Sequence, residues 1–281
     1  RGLGDVYKRQ IADIACSLYI GLIRAYCSVT GMRLIHCACG TDVRIPGAEE
    51  LLLNDAPSQP SLKPLDAIAR EVLPVDPTPS LEEIQRMPDV AHMGAPALAP
   101  QRPEERLRVV VSGTDRALGL VLTRLMRADA MWVEVGYVPV DPSSPAALIW
   151  GAEGVDLAVE GPVAPIPCVR TDFGEVVAGS AEIACDAGEI IVDSETLVMG
   201  NGASARLVPL VDAPGIAAAP LVKRRFRGVR LDDSRVLTGR AVQSGGSEIR
   251  VLIDAHPRPR PVNRVTFYRH LRDVQSVRDG S

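Results

Sequence analysis

The stretch from Leu107 to Gly151 constrains this chain most, because its periodicity switches twice in the same order. Leu107–Val111 is a continuous apolar run, the pattern of a strand buried on both faces of a parallel sheet. Ser112-Gly113-Thr114-Asp115 follows. Leu118, Val121, Leu122, Leu125 and Met126 then recur at helical spacing, with Thr123, Arg124 and Arg127 opposite. Trp132–Val138 reads as a second strand, Pro139 ends it, and Asp141-Pro-Ser143-Ser144 turns the chain. Ser144 is placed to N-cap a short helix that has Pro145 at its first position and closes at Trp150-Gly151. Strand, loop and helix, twice over, predict an α/β sheet.

After about Val155 the grammar changes. β-rich runs recur every eight to twelve residues with turn signals between them. They are Pro167–Thr171, Glu175–Ala178, Ala181–Cys185, Glu189–Val192, Thr196–Met199, Ala205–Val211, Arg235–Gln243, Ile249–Asp254 and Val262–Tyr268. Asn201-Gly202 and Gly245-Gly246 read as hairpin turns. The prediction is an α/β N-terminal domain followed by an all-β, sandwich-like C-terminal domain, α+β overall. Upstream, residues 44–103 hold 11 of the 23 prolines, with short helices expected at Pro64–Leu73 and Ser80–Met87. Arg1–Gln10 resembles a translated adaptor tail, and Ile11–Tyr26 mimics a signal peptide interrupted by Asp13 and Arg24. The expected division is therefore a non-native or disordered leader at 1–31, a proline-rich region with short helices at 32–103 that is either part of the α/β domain or a linker to it, a nucleotide-binding-like core at 104–154 and a β domain at 155–281.

With 46% hydrophobic and 23% charged residues, the chain is neither wholly disordered nor a polytopic membrane protein. Charge is uneven. Residues 221–281 carry 14 basic and 6 acidic side chains, while the remainder carries 17 and 29. Either the C-terminal part meets something anionic, or the acidic part packs near it. Lys223, Arg224, Arg225, Arg227 and Arg230 suit an anionic membrane surface, or an edge strand guarded by charge. His256-Pro-Arg258-Pro-Arg260-Pro is a stiff basic loop expected to join the same patch. Aromatics at 4% supply few stacking platforms, so nucleic acid is the weakest partner expectation. Six irregularly spaced cysteines suggest a reducing, cytoplasmic compartment, with peripheral membrane contact through the basic face. His36, Cys37 and Cys39 lack a fourth zinc ligand and read as a buried apolar strand.

Two loops carry the candidate chemistry. Ser112, Gly113, Thr114 and Asp115 lie between a strand's carboxyl end and a helix N-terminus, where free N–H groups and the helix dipole favour phosphate. Gly113 would permit close approach, Ser112 and Thr114 would donate, and Asp115 would hold magnesium. The alternative is a plain turn with Thr114 or Asp115 as N-cap. Ser143 and Ser144 occupy the equivalent position after the next strand. Were the two strands parallel neighbours, both loops would open on one sheet edge, where open α/β folds bind ligands.

The order Val109-Val-Val-Ser112-Gly113-Thr114-Asp115, helix, strand ending at Pro139, Asp141-Pro-Ser143-Ser144 and Leu148-Ile-Trp-Gly151 resembles the core of the diacylglycerol kinase and NAD kinase-like superfamily. The likeness extends to a β-rich second half and to the segment Val251-Leu-Ile-Asp254. Bacterial lipid kinases have an Asp-Gly-Glu turn there, and this chain has Asp254-Ala255-His256. The resemblance implies ATP with magnesium and phosphoryl transfer to a lipid-like hydroxyl. Its GGDGT loop is reduced to Ser-Gly-Thr-Asp, and Asp212 is the nearest counterpart of a catalytic base. A non-catalytic pseudo-kinase that keeps the cleft is the alternative.

Overall fold

The computed structural model describes residues 31–75, 86, 94–224 and 228–280. The leader and the expected helix at Ser80–Met87 lie outside the described residues, apart from Gly31 and Arg86.

The first half forms a five-stranded parallel sheet. β1 (Met32–Cys39), β2 (Glu49–Leu53), β3 (Arg106–Gly113) and β4 (Glu134–Pro139) are joined by β17 (Gln275–Ser276), in the order β17-β4-β3-β1-β2. β3 is central and buried from Leu107 onward, as its unbroken apolar run requires. Helix α1 (Lys63–Val72) and helix α2 (Asp115–Arg127) cover one face. Leu118, Val121, Leu122, Leu125 and Met126 of α2 are all buried in that core. Arg124, in the last turn of α2, reaches Asp66 of α1 through its Nε at 2.7 Å, and its charge also complements the helix dipole. Helix α3 (Pro145–Trp150) starts and stops where its cap residues predict, with Gly151 in the left-handed region. Helix α4 (Val155–Glu160) has no counterpart in the sequence reading. Its Ala158 packs on the other sheet face with Val110 and Val138.

Alternation along β1 sends His36 to one face and Cys37 and Cys39 to the other, so these three cannot converge on one metal. Burial pushes the Cys37 thiol up, and that of Cys39 up to about 12. Among the described residues no three His, Cys, Asp or Glu side chains are grouped for a metal ion.

The second half is a twelve-stranded antiparallel network. Along its main path lie β12 (Gly228–Leu231), β11 (Ile216–Arg224), β10 (Ser204–Pro209), β7 (Ala181–Ala184), β14 (Ala241–Ile253), β16 (Val262–Arg269), β5 (Val169–Thr171) and β6 (Val176–Val177). β8 (Ala187–Val192) and β9 (Glu195–Asn201) branch from β14. β13 (Leu237–Gly239) pairs with β11, and β15 (His256–Pro257) folds back on β14. The thirteen-residue β14 joins two halves of the network, pairing with β8 through residues 242–247 and with β7 through residues 250–253. Both halves enclose one apolar core that includes Ile183, Ile190, Val242, Val251 and Phe267.

Three sequence expectations are corrected. Gly245-Gly246 is no hairpin turn, because β14 runs straight through it with a bulge before Ile249. A Cβ on Gly246 would stand 2.3 Å from the Ala187 carbonyl oxygen, so the glycine permits close strand approach. The first part of β11, Ile216–Pro220, was not foreseen, since its Ala-Ala-Ala-Pro segment lacks the branched residues that mark strands. The last residues do not belong to the β half alone, because Gln275 and Ser276 return to pair with β4 in the parallel sheet.

Candidate functional site

β3 and β4 are parallel neighbours, paired from Arg108–Glu134 to Gly113–Pro139. The loops after them, with Ser112, Gly113, Thr114, Asp115, Ser143 and Ser144, therefore share one edge of the sheet. There the side chains bind mainly one another. Ser112 lies on the face of β3 away from α2 and is fully buried. Its Oγ is 2.8 Å from His36 Nε2 and 2.7 Å from Thr41 Oγ1. His36 is also buried, which lowers its pKa, with Glu50 3.7 Å from Nδ1. Gly113 is tightly packed, because a Cβ would sit 3.0 Å from both Ala117 Cβ and Cys39 Cβ. Thr114 is the N-cap of α2, and its hydroxyl accepts from the Ala117 N–H at 3.3 Å.

Asp115 ties the two loops together. Its Oδ1 accepts from the Tyr137 hydroxyl at 2.9 Å and the Ser144 hydroxyl at 2.6 Å, and its Oδ2 from the Ala146 N–H at 2.9 Å. Ser144 in turn accepts from the Ala147 N–H as the cap of α3. The phenol of Tyr137 is pushed up by burial and by the neighbouring carboxylate. Ser143 is exposed and donates through its N–H and hydroxyl to Asp141, which lowers the Asp141 pKa. A magnesium ion needs several open oxygen ligands. A single carboxylate already accepting three hydrogen bonds does not fit that need, and the expected metal role of Asp115 is not supported by its surroundings.

The β half closes over this junction. A Cβ on Gly179 would lie 2.5 Å from Asp115 Oδ2 and 2.7 Å from the Ala146 nitrogen. The segment 178–180 is pinned by Asp254, whose carboxylate accepts from the N–H groups of Ala178 (3.1 Å), Gly179 (2.8 Å) and Ser180 (3.0 Å). Asp254 is buried, and loss of solvent raises its pKa to about 7 against the pull of those donors, with Asp115 adding to the rise. Asp254 and Ala255 both take positive φ, the strained corner of the turn into β15. Asp212, by contrast, is exposed in the turn between β10 and β11.

Next to Asp115, an open cleft of about 420 Å³ separates the start of α2 from β15 and the loop that follows it, His256–Arg260. Arg116, Glu175, His256, Arg258 and Arg260 line it. Arg116 is ion-paired with Glu175 across the two halves. The other basic segment forms the edge hairpin of β11 and β12. Lys223 and Arg224 lie in β11 and Arg230, which is exposed, in β12, while Arg225 and Arg227 lie outside the described residues. Among the described residues no helix is long and apolar enough to cross a membrane.

Two crystal structures from Bacillus anthracis str. Sterne share this architecture. One is described as a diacylglycerol kinase and the other as a candidate diacylglycerol kinase. They superpose at TM-scores of 0.56 and 0.57 with 9% and 8% identity, each covering 88% of this chain and 97% of the other. The chain has the diacylglycerol kinase fold. An NAD kinase from Archaeoglobus fulgidus in complex with ATP aligns at a TM-score of 0.42 with 12% identity, over 89% of this chain and 94% of the other. No protein-family model and no curated protein sequence matches the chain. At such identities a shared architecture says nothing about activity.

Sequence reasoning missed Tyr137, Gly179 and the pinning role of Asp254. Only Asp254 left a signal, an Asp opening a turn at the end of an apolar strand.

Proposed function

We propose that this chain is a binding module built on a kinase fold. It takes a nucleotide or another phosphate-bearing ligand at the junction of its two halves and does not transfer the phosphoryl group. One observation carries this: Asp115, the acidic group at the phosphate-loop position, is occupied by Tyr137, Ser144 and the Ala146 N–H. Phosphoryl transfer depends on metal ions that neutralise charge on the phosphates, and this carboxylate serves instead as a clasp between two loops. Support for ligand binding comes from the cleft beside it, of about 420 Å³, where three arginines outnumber one carboxylate.

The test is transfer of labelled γ-phosphate from ATP, with magnesium, to lipid hydroxyl acceptors and to water. No transfer above the protein-free rate is expected. Magnesium-dependent transfer that disappears in Asp115→Asn would overturn the proposal and restore the kinase reading.

A further inference from the structure

Resting on the binding role proposed above, we infer that the cleft between the start of α2 and the His256–Arg260 loop is a phosphoryl-group site. Arg258 and Arg260 read the ligand, Arg116 stands behind them, and Glu175 is the resident counter-ion.

Three guanidinium groups face this cleft against one carboxylate. Glu175 engages Arg116. Among the described residues, neither Arg258 nor Arg260 has an ion-pair partner. Like charges gathered without counter-ions raise the local potential and attract an anion. The loop that carries them is prepared in advance. Pro257, Pro259 and Pro261 restrict its backbone, and the Arg258 N–H donates to the Val251 carbonyl at 2.9 Å. The Arg258 guanidinium lies 3.8 Å from the Phe173 ring centroid, stacked so that its edge donors remain available. An ordered fork of this kind loses little freedom when it binds.

Arg116 supplies a second sign of an incomplete site. Its Nε is buried without a hydrogen-bond partner, although the same guanidinium pairs with Glu175. It is also the second residue of a thirteen-residue helix, where the dipole adds positive potential. Arginine forks match the tetrahedral oxygens of phosphate through paired hydrogen bonds. The volume of about 420 Å³ suits a phosphate or diphosphate with part of the molecule that bears it.

Calorimetric titration of the full chain with inorganic pyrophosphate tests this, with Arg258→Ala, Arg260→Ala and Glu175→Gln, and Arg264→Ala as a control for charge lost outside the cleft. Pyrophosphate is expected to bind, each cleft arginine lost to weaken binding about tenfold, Glu175→Gln to tighten it, and Arg264→Ala to leave it nearly unchanged. No binding of pyrophosphate at millimolar concentration, or binding indifferent to both cleft arginines, overturns the site. If ATP binds while these arginines prove irrelevant, the cleft assignment fails and the nucleotide reading stands. If pyrophosphate binds through them while ATP does not compete, the site stands and the nucleotide reading fails. Vesicles with and without phosphatidic acid separate the two sources of phosphate. Arginine-dependent capture by the phosphatidic acid vesicles assigns a lipid headgroup, and its absence, with pyrophosphate still bound, assigns a soluble ligand.

Discussion

Replacing Asp254 by Asn is expected to change how the protein's stability depends on pH. In the folded chain burial raises this carboxyl to about 7. In the unfolded chain it titrates near 3.9, roughly the value of a free Asp. Between those two values the folded state holds a proton that the unfolded state has released. Stability therefore falls as pH rises through this window and levels off above the folded pKa. The steepest slope is about 1.4 kcal/mol per pH unit, so from about pH 5 to about pH 8 this carboxyl removes on the order of 2–3 kcal/mol. Asn keeps the shape, and its amide oxygen can accept from two of the three N–H donors of residues 178–180, but it does not titrate. The advantage of the native protein over Asp254→Asn should thus shrink by that amount from about pH 5 to about pH 8. Urea unfolding followed by fluorescence of Trp132 and Trp150, both buried near the sheet, measures it. Parallel pH curves for the two proteins, or a native protein that gains on the variant as pH rises, would refute the reasoning. Parallel curves would mean that the N–H groups of Ala178, Gly179 and Ser180 keep the carboxylate ionised throughout this range.

Other substitutions probe the same framework. Gly113→Val should destabilise the fold by about 2 kcal/mol or more through overpacking against Ala117 and Cys39, whether or not a ligand is present; thermal unfolding without ligand checks this. Asp115→Ala should cost about 2–4 kcal/mol by leaving Tyr137, Ser144 and the Ala146 N–H short of a partner, and a loss below 1 kcal/mol in urea unfolding would deny its role as a clasp. Glu134→Gln should cost about 3 kcal/mol, because the buried Arg108 and its neighbour Arg106 share that carboxylate at 2.7 Å each; chemical denaturation near neutral pH decides it.

The β3–α2–β4–α3 stretch of the parallel half was legible because its local signals agree, whereas β2, with only five residues amid prolines, was not. The apolar run of β3, the capping hydroxyls of Thr114 and Ser144 and the closing Gly151 each specify one conformation. The β half was legible in class but not in detail. Alanine-rich β11 carries little β signal, and the glycines at 245 and 246 serve a close approach between strands that single-chain periodicity cannot reveal. Residues Gln275 and Ser276 return to a sheet begun more than 200 residues earlier, and no local pattern announces such pairing. The site shows the same divide. Its loops were predictable, but their chemistry was not. Ser112 bonds His36, 76 positions away, and Asp115 bonds Tyr137 because parallel register sets β4 beside β3. A hydroxyl or carboxylate that looks ready for phosphate in the sequence is already engaged once the strands are side by side.

Thermal unfolding of the full chain with ATP, once with magnesium and once with EDTA, tests the central claim most directly. A ligand at a hundred times its dissociation constant stabilises by about 2.7 kcal/mol, roughly 5–10 °C for a chain of this size. A metal-free phosphate site predicts a shift of that order in both conditions, at least as large in EDTA, where ATP keeps its full negative charge. A shift that appears only with magnesium, or no shift at all with millimolar ATP, would contradict it.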